Sequence, residues 1–342
     1  MLTLCGAGWA YRRPKNPRLQ SWRRPPRKLM TICIAAICED YIIIGASDRM
    51  VVCADGLIAT SPNVSKSGGF NYGENDSIAI MIAGNVDYQY EIINNAARIV
   101  GKGKTEERLT VDEVLDAYTS AYQAFYFRQA ESAVLTPLLV TRKQYESGQL
   151  DESLHKLAAE QLSAFARSFK ENEENSISTI IAGFDNDGPH LFKLHFDEVS
   201  DMTGAGYVAI GSGSWHADSH FQLNYYSKQW SYSDAMLLLY EAKVKAQLDT
   251  SVDDKTDMFK LLPLPLGPEL PTFQRLGPFQ VGRIAVAYDD MMKEVREKEK
   301  AIKLRLSNEL QDPIIDDAKE AYENWARAQT KSNGTEPDKT AV

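Results

Sequence analysis

The first sustained hydrophobic pattern in the chain opens at Thr31. Thr31 to Cys38 and Tyr41 to Ser47 are strand-forming runs separated by Glu39-Asp40, which predicts a hairpin. Residues 57–70 hold two short strand candidates broken by Ser-Pro-Asn and Ser-Gly-Gly, and Ser77 to Ile82 is a further apolar strand that stops at Ala83-Gly84-Asn85. The period then changes. Asn85 is placed to cap a helix over 86–101, and Thr110 with Glu113 three residues later is a capping-box signature opening a helix over 111–130. Charged, serine-containing sequence extends this helical region through 131–172.

Strand patterning returns at Ser176 to Phe184 and Leu191 to Phe196, around the turn Asp185-Asn186-Asp187-Gly188-Pro189. Tyr207 to Ile210 is another strand, running into Gly211-Ser212-Gly213-Ser214, and helices are predicted over 214–227 and 232–249. Pro263 to Pro278 predicts a loop, Gly282 to Tyr288 a final strand, and Asp289 to about Ala328 a helical tail. Met292, Val295, Ile302, Leu306 and Leu310 share one face of that tail. Strands, two helices, strands, two helices and a closing strand and helix make an α+β order, which two antiparallel sheets between helix layers would satisfy.

At 342 residues the chain has room for one or two domains, and 44% hydrophobic and 25% charged residues are ordinary for a globular protein. No apolar run is long enough to cross a bilayer as a helix, so no membrane role is expected. Charge is unevenly spread. Residues 1–29 carry eight basic residues and no acid, so the remainder carries -9 - 8 = -17. An acidic body argues against a nucleic-acid partner. Four cysteines, with Cys33, Cys38 and Cys53 read as buried strand residues, form no disulfide framework and predict a reducing, cytoplasmic setting. His216 and His220 stand four apart but lack an acidic motif beside them, so ordinary histidines are expected, with no metal and no cofactor. The chain has no Gly-x-Ser-x-Gly elbow, P-loop or dinucleotide fingerprint.

The boundaries read as a basic leader over 1–29, a main domain over 30–290 with a helical insertion near 131–172, and a charged helical tail over 291–342. The leader reads as a disordered basic arm, a targeting presequence or sequence ahead of the true start; four prolines spoil the amphipathic helix that a presequence needs, and Met30, directly before Thr31 and the first strand, favours the third. Removal of that methionine would make Thr31 the first residue.

Threonine is a poor nucleophile unless a base takes its proton, and the α-amine of the same residue can do so when it begins the chain. A nearby cation assists, and Lys66 is the best candidate, with Asp48 to hold its ammonium. The Gly84 N–H, at a strand-to-helix turn, suits a developing oxyanion. Read singly, each of these residues is more often plain: a strand threonine, a surface Asp-Arg pair, a loop lysine, a turn glycine.

Taken in order, Thr31-Ile-Cys-Ile-Ala-Ala, Gly45-Ala-Ser-Asp-Arg49, Val64-Ser-Lys66, Met81-Ile-Ala-Gly84, Ile180-Ile-Ala-Gly-Phe-Asp185 and Ala209-Ile-Gly-Ser-Gly-Ser214 resemble the proteasome β-subunits and the wider N-terminal nucleophile hydrolases, over about 31–250. The Ala-Ser-Asp-Arg wording and the long tail make that resemblance nearest to uncharacterised stand-alone proteasome-like proteins. It implies a four-layer αββα sandwich, Thr31 as nucleophile, Lys66 and Asp48 as activating pair, Gly84 as oxyanion donor, and Ser212 supporting the amine. The aspartate sits one residue later than in a β-subunit, which leaves Ser47 as an alternative. Lys66 sits three residues late, and Asp249 and Asp253 are unassigned candidates for a later family aspartate. The implied activity is cleavage of a peptide or amide substrate through an acyl-enzyme, with transpeptidation open and homo-oligomers possible. The alternative is a non-catalytic scaffold in which Thr31 is never freed.

Overall fold

The fold is described from a computed structural model, for residues 31–52, 58–60, 66–70, 78–101, 109–172, 175–247, 252, 254–263, 272–309, 320, 322–325 and 327. The leader, Cys53, Asp249 and Asp253 lie outside the described residues. The chain divides into two compact units at Arg275 and Leu276.

In the first unit, strands β1 (Cys33–Cys38) and β2 (Ile42–Asp48) form the predicted hairpin, paired from Cys33↔Ser47 to Cys38↔Ile42. Glu39 and Asp40 both turn it in the left-handed conformation. That conformation costs a non-glycine residue roughly 1–2 kcal/mol. Their amides donate to the Trp230 and Lys228 carbonyls, contacts that help offset the cost. A short ribbon, β3 (Met50–Val52) with β4 (Ile58–Thr60), follows, then β5 (Ser67–Gly69) and β6 (Ile78–Gly84).

Helices α1 (Val86–Gly101) and α2 (Val111–Ala130) come next. At the start of α2 the Thr110 hydroxyl accepts from the Glu113 amide and the Glu113 carboxylate accepts from the Thr110 amide, the reciprocal cap that the sequence predicts. The insertion continues through a π-helical turn at Glu131–Leu135, α3 (Arg142–Glu146) and α4 (Glu152–Glu171), which enclose a small core of Val134, Leu135, Val140 and Ala158. Strands β7 (Ile177–Asp185), β8 (Gly188–His195), β9 (Glu198–Asp201) and β10 (Tyr207–Ile210) lead to helices α5 (Ser214–Leu223) and α6 (Tyr232–Ala246). The last strands of the unit are β11 (Thr256–Leu261) and β12 (Phe273–Arg275).

The result is mixed helix and sheet, with two five-stranded antiparallel sheets ordered β10-β1-β2-β11-β12 and β5-β6-β7-β8-β9. One core joins residues of both sheets: Cys33, Ala35, Ile37 and Phe259 from the first with Ala79, Met81, Ile180 and Leu191 from the second. A second core packs the other face of β6 and β7 against α1 and α2 through Ile92, Val114, Tyr118, Phe125 and Ile181. Side chains of this size contribute about 1.5–3 kcal/mol each when fully buried. Helices α5 and α6 pack on each other and on β1, β2 and β10.

Three sequence expectations are corrected here. The helix predicted over 214–227 stops at Leu223, and Tyr225 adopts a left-handed φ of 51° that no helix continues. The stretch Pro263 to Pro278, predicted as loop, contains β12. The closing strand predicted at Gly282 to Tyr288 is helical, inside α7 (Pro278–Glu309) of the second unit. Pro278 stands at the first helical position, where its missing N–H costs nothing, and the Gln280 side chain caps the Gly277 amide at 2.9 Å. No helix among the described residues is long and apolar enough to cross a membrane.

Candidate active site

Three chain segments meet at Thr31. The Thr31 hydroxyl donates to Asp48 Oδ1 at 3.0 Å, and the Lys66 ammonium donates both to Thr31 Oγ1 and, at 2.6 Å, to Asp48 Oδ1. The Ile32 amide adds a fourth group to the cluster, donating to the same Asp48 oxygen at 3.0 Å. Thr31, Asp48 and Lys66 are 6%, 0% and 3% exposed, so this is a charged pair on a hydroxyl inside the protein. Hydrogen bonds offset the burial of such a pair; here they serve Asp48 Oδ1 and two ammonium protons, while Asp48 Oδ2 is buried without a partner among the described residues.

Local structure explains how each group arrives. Asp48 ends β2, whose backbone is tied to Thr31's neighbour by the Asp48 amide donating to the Ile32 carbonyl at 3.2 Å. Lys66 directly precedes β5, and its carbonyl accepts from the Ile82 amide of β6 at 2.9 Å. Arg275 reaches from β12 to donate to the Ser67 carbonyl at 2.6 Å, fixing the residue after Lys66 from a strand of the other sheet. Of the two alternatives at the end of β2, Asp48 bonds Thr31, and Ser47 Oγ is buried with no hydrogen-bond partner among the described residues.

Gly211 is the residue that the sequence reading passed over. It has a φ of 94°, and a Cβ there would fall 2.0 Å from the Thr31 carbonyl oxygen. Only glycine fits this approach. The Gly-Ser-Gly-Ser turn carries the signal, in its first glycine as well as in the serine that the resemblance singles out. Ser212 follows directly, with its Oγ buried and unpartnered among the described residues, as is Asp48 Oδ2.

Gly84, the last residue of β6, has no bond to Thr31, Asp48 or Lys66 among the described residues; the strand reaches the cluster through Ile82. Two residues earlier, Ile82 bonds Lys66 through its amide and accepts from the Cys33 thiol at 3.3 Å through its carbonyl. Gly84 itself has a φ of 103°, and a Cβ there would meet the Ser176 carbonyl oxygen at 2.0 Å. The two histidines are elsewhere in role: His220 Nε2 lies 3.2 Å from Glu241 and links α5 to α6, while the His216 ring lies against Trp215. Among the described residues no His, Cys, Asp and Glu side chains group as metal ligands.

Cys33 is the second potential nucleophile nearby, and its surroundings keep it neutral. Burial pushes the thiol up to about 12; the Lys66 charge pulls the other way, and the Asp48 carboxylate adds to the rise. A thiol so protonated is a poor nucleophile. Iodoacetamide at pH 8 is therefore expected to leave Cys33 unmodified in the native protein and to alkylate it after denaturation, as read by peptide mass spectrometry. Rapid native alkylation at Cys33 would contradict this account of its environment.

The arrangement can hold a threonine oxygen beside a fixed positive charge in a site of low water content, which favours a developing alkoxide. No family model and no curated protein matches the sequence. The fold is similar to that of Anbu (ancestral beta-subunit) from Yersinia bercovieri, at 12% sequence identity and a TM-score of 0.55, over 78% of this chain and 97% of that one. The fold is thus proteasome-like. The predicted nearness to uncharacterised stand-alone proteasome-like proteins is corrected, since the likeness found is to a protein described as an ancestral beta-subunit. Four residues of wording and a helical tail are too little to tell one such chain from another.

Proposed function

We propose that the chain hydrolyses amide or peptide bonds, with Thr31 as nucleophile after its amine is freed. The observation that carries this reading is the buried Lys66 ammonium bonded at once to Thr31 Oγ1 and Asp48 Oδ1. An α-amine ordinarily has a pKa of about 7.7–8.0, so a useful part is neutral near pH 7 and accepts the Oγ proton. The oxygen attacks the substrate carbonyl while Lys66 stabilises the negative charge it carries, and Asp48 fixes the ammonium. The Gly84 N–H receives the oxyanion of the tetrahedral intermediate. The amine returns its proton to the leaving nitrogen, an acyl-Thr31 ester remains, and water or a second amine releases it. Ser212, its Oγ free to bond, supports the amine.

A scaffold does not require a buried lysine aimed at that hydroxyl, which favours the catalytic reading over the scaffold. We read the helix–sheet–sheet–helix order of the packing as a four-layer αββα sandwich, supported by the two cores and by α5 and α6 on the first sheet. The free, buried thiols of Cys33 and Cys38 support a reducing, cytoplasmic setting. Peptide or amide substrates are its proposed partners, with self-association among copies of the chain.

The reading is tested at the amino terminus. Intact-mass analysis of active protein, produced from a gene encoding the whole chain, is expected to give a chain beginning at Thr31. Active protein that keeps residues ahead of Thr31 would remove the proposed base and with it the mechanism.

A further inference from the structure

Away from the nucleophile, the polar side chains of Gln89 in α1, Tyr118 in α2 and Thr179 in β7 are each 0% exposed. They form a closed triangle, with Tyr118 Oη 2.9 Å from Gln89 Oε1, Tyr118 Oη 2.7 Å from Thr179 Oγ1, and Thr179 Oγ1 2.9 Å from Gln89 Oε1. Thr179 lies between Ile177 and Ile181 on the helix-covered face of β7, so the triangle interrupts an otherwise apolar core. An apolar trio of the same shape would cost less to bury. Burial holds the Tyr118 hydroxyl well above the usual phenol range, so it stays a neutral donor.

What the triangle does is visible in its outward bonds. Gln89 Nε2 donates to the Ser178 carbonyl at 3.1 Å and approaches the Ala83 carbonyl at 3.5 Å. Ala83 and Ser178 are paired across β6 and β7, and the next rung is Gly84 with Ile177. Beyond it the Asn85 amide donates to the Ser176 carbonyl at 2.8 Å, and Asn85 Oδ1 accepts from the Tyr88 amide at 3.1 Å to start α1. The amide of one side chain therefore clamps the last strand rung before Gly84, and α2 and β7 hold that side chain by its other end.

We infer that Gln89, Tyr118 and Thr179 are positioning residues that fix the β6–α1 turn and aim the Gly84 N–H. The inference rests on the reading of Gly84 as oxyanion donor given above. Donors of this kind act only when held in advance at the place where charge develops. A purely structural role would lower stability and leave the chemistry of the folded protein alone; an aiming role changes the chemical step and spares binding.

The test uses protein whose amino terminus is verified to be Thr31, with the rest of the chain intact, and a leucine-containing peptide epoxyketone, whose labelling requires a hydroxyl and an α-amine on one residue and begins with attack on a ketone. Tyr118→Phe and Thr179→Val remove one hydroxyl each with little change of shape. In both, the saturating labelling rate is expected to fall about 10-fold or more, with the half-saturating concentration changed less than about two-fold. Thr179→Ser restores the hydroxyl and is expected to recover most of the rate. Hydrogen exchange gives a readout independent of labelling: the Asn85 amide should exchange faster in Tyr118→Phe and Thr179→Val. Unchanged labelling in folded variants overturns the inference, as does unchanged Asn85 exchange. Should the wild-type protein itself resist labelling, the proposed function fails, and the exchange rates alone then uphold or overturn the clamp.

Discussion

Thr31→Ala is expected to abolish epoxyketone labelling and amide hydrolysis while leaving the protein folded. The substitution removes one methyl and one hydroxyl from a residue that ends no secondary element and sits ahead of β1. Its structural cost is the loss of one acceptor for Lys66 and one donor to Asp48 Oδ1, which keeps its bonds from Lys66 and Ile32. The catalytic cost is expected to be total, because on the proposed mechanism the attacking oxygen and the base belong to one residue, and the nearby Cys33 is a neutral thiol turned to the Ile82 carbonyl. Loss of a nucleophile lowers the rate by on the order of 10⁶ in hydrolases of comparable logic, which brings it to background. Thr31→Ser, by contrast, keeps both oxygen and amine and should retain measurable labelling. Equal labelling of Thr31→Ala and wild type would end the enzymatic reading outright.

The second large effect is expected at Lys66, where stability and activity should fall together and then separate. Lys66→Met leaves the Asp48 carboxylate, fully buried, without its counter-ion. Breaking such a pair from one side costs about 3–5 kcal/mol, because the remaining charge is left uncompensated. Asp48→Asn strands the ammonium in the same way. The double variant Lys66→Met with Asp48→Asn removes both charges, and it should recover a large share of the lost stability in urea unfolding. Labelling of the double variant should remain absent, because no cation then faces the Thr31 oxygen. A double variant that labels at the wild-type rate would show the pair to be structural only. Single variants within about 1 kcal/mol of wild type would show that it is not buried as described.

Much of the fold could be read in the sequence because its signals are local. The hairpin at Glu39-Asp40, the reciprocal cap at Thr110 and Glu113, and the turns at Gly84 and Gly188 all declare themselves within a few residues. Strands β3 and β9, short and polar or interrupted in sequence, are missed although they pair with their chain neighbours, and the other missed strands have reasons that lie farther away. β11 has a mixed sequence, Thr-Asp-Met-Phe-Lys-Leu, and is held by pairing with β2 some two hundred residues earlier. β12 is three residues long and depends on β11. Gly282 to Tyr288 misled because isoleucine, valine and tyrosine at alternate positions suit either state, and only Pro278 and the Gln280 cap decide for helix. In the candidate site, residue types suggested the chemistry, but the choice between Ser47 and Asp48 was beyond a one-dimensional reading. Adjacent strand residues point to opposite faces, so a slip of one position exchanges them. Gly211 was hidden for another reason: its purpose is a close approach to a residue 180 positions away in the chain, which no local pattern carries.

The place of β11 also bears on the order in which the candidate site is assembled. It flanks β2 on the side away from β1, with Thr256 opposite Asp48, and the Arg275 bond to the Ser67 carbonyl spans 208 residues. In a chain emerging from the ribosome, the strand carrying Asp48 therefore lacks its β11 partner until residues 256–261 have been made, and the residue after Lys66 lacks its arginine tether until Arg275 follows. Long-range pairings of this kind form late, after their loop-closure entropy has been met. On the proposed function, the surroundings of Asp48 and Lys66 are complete only once nearly the whole first unit has been translated.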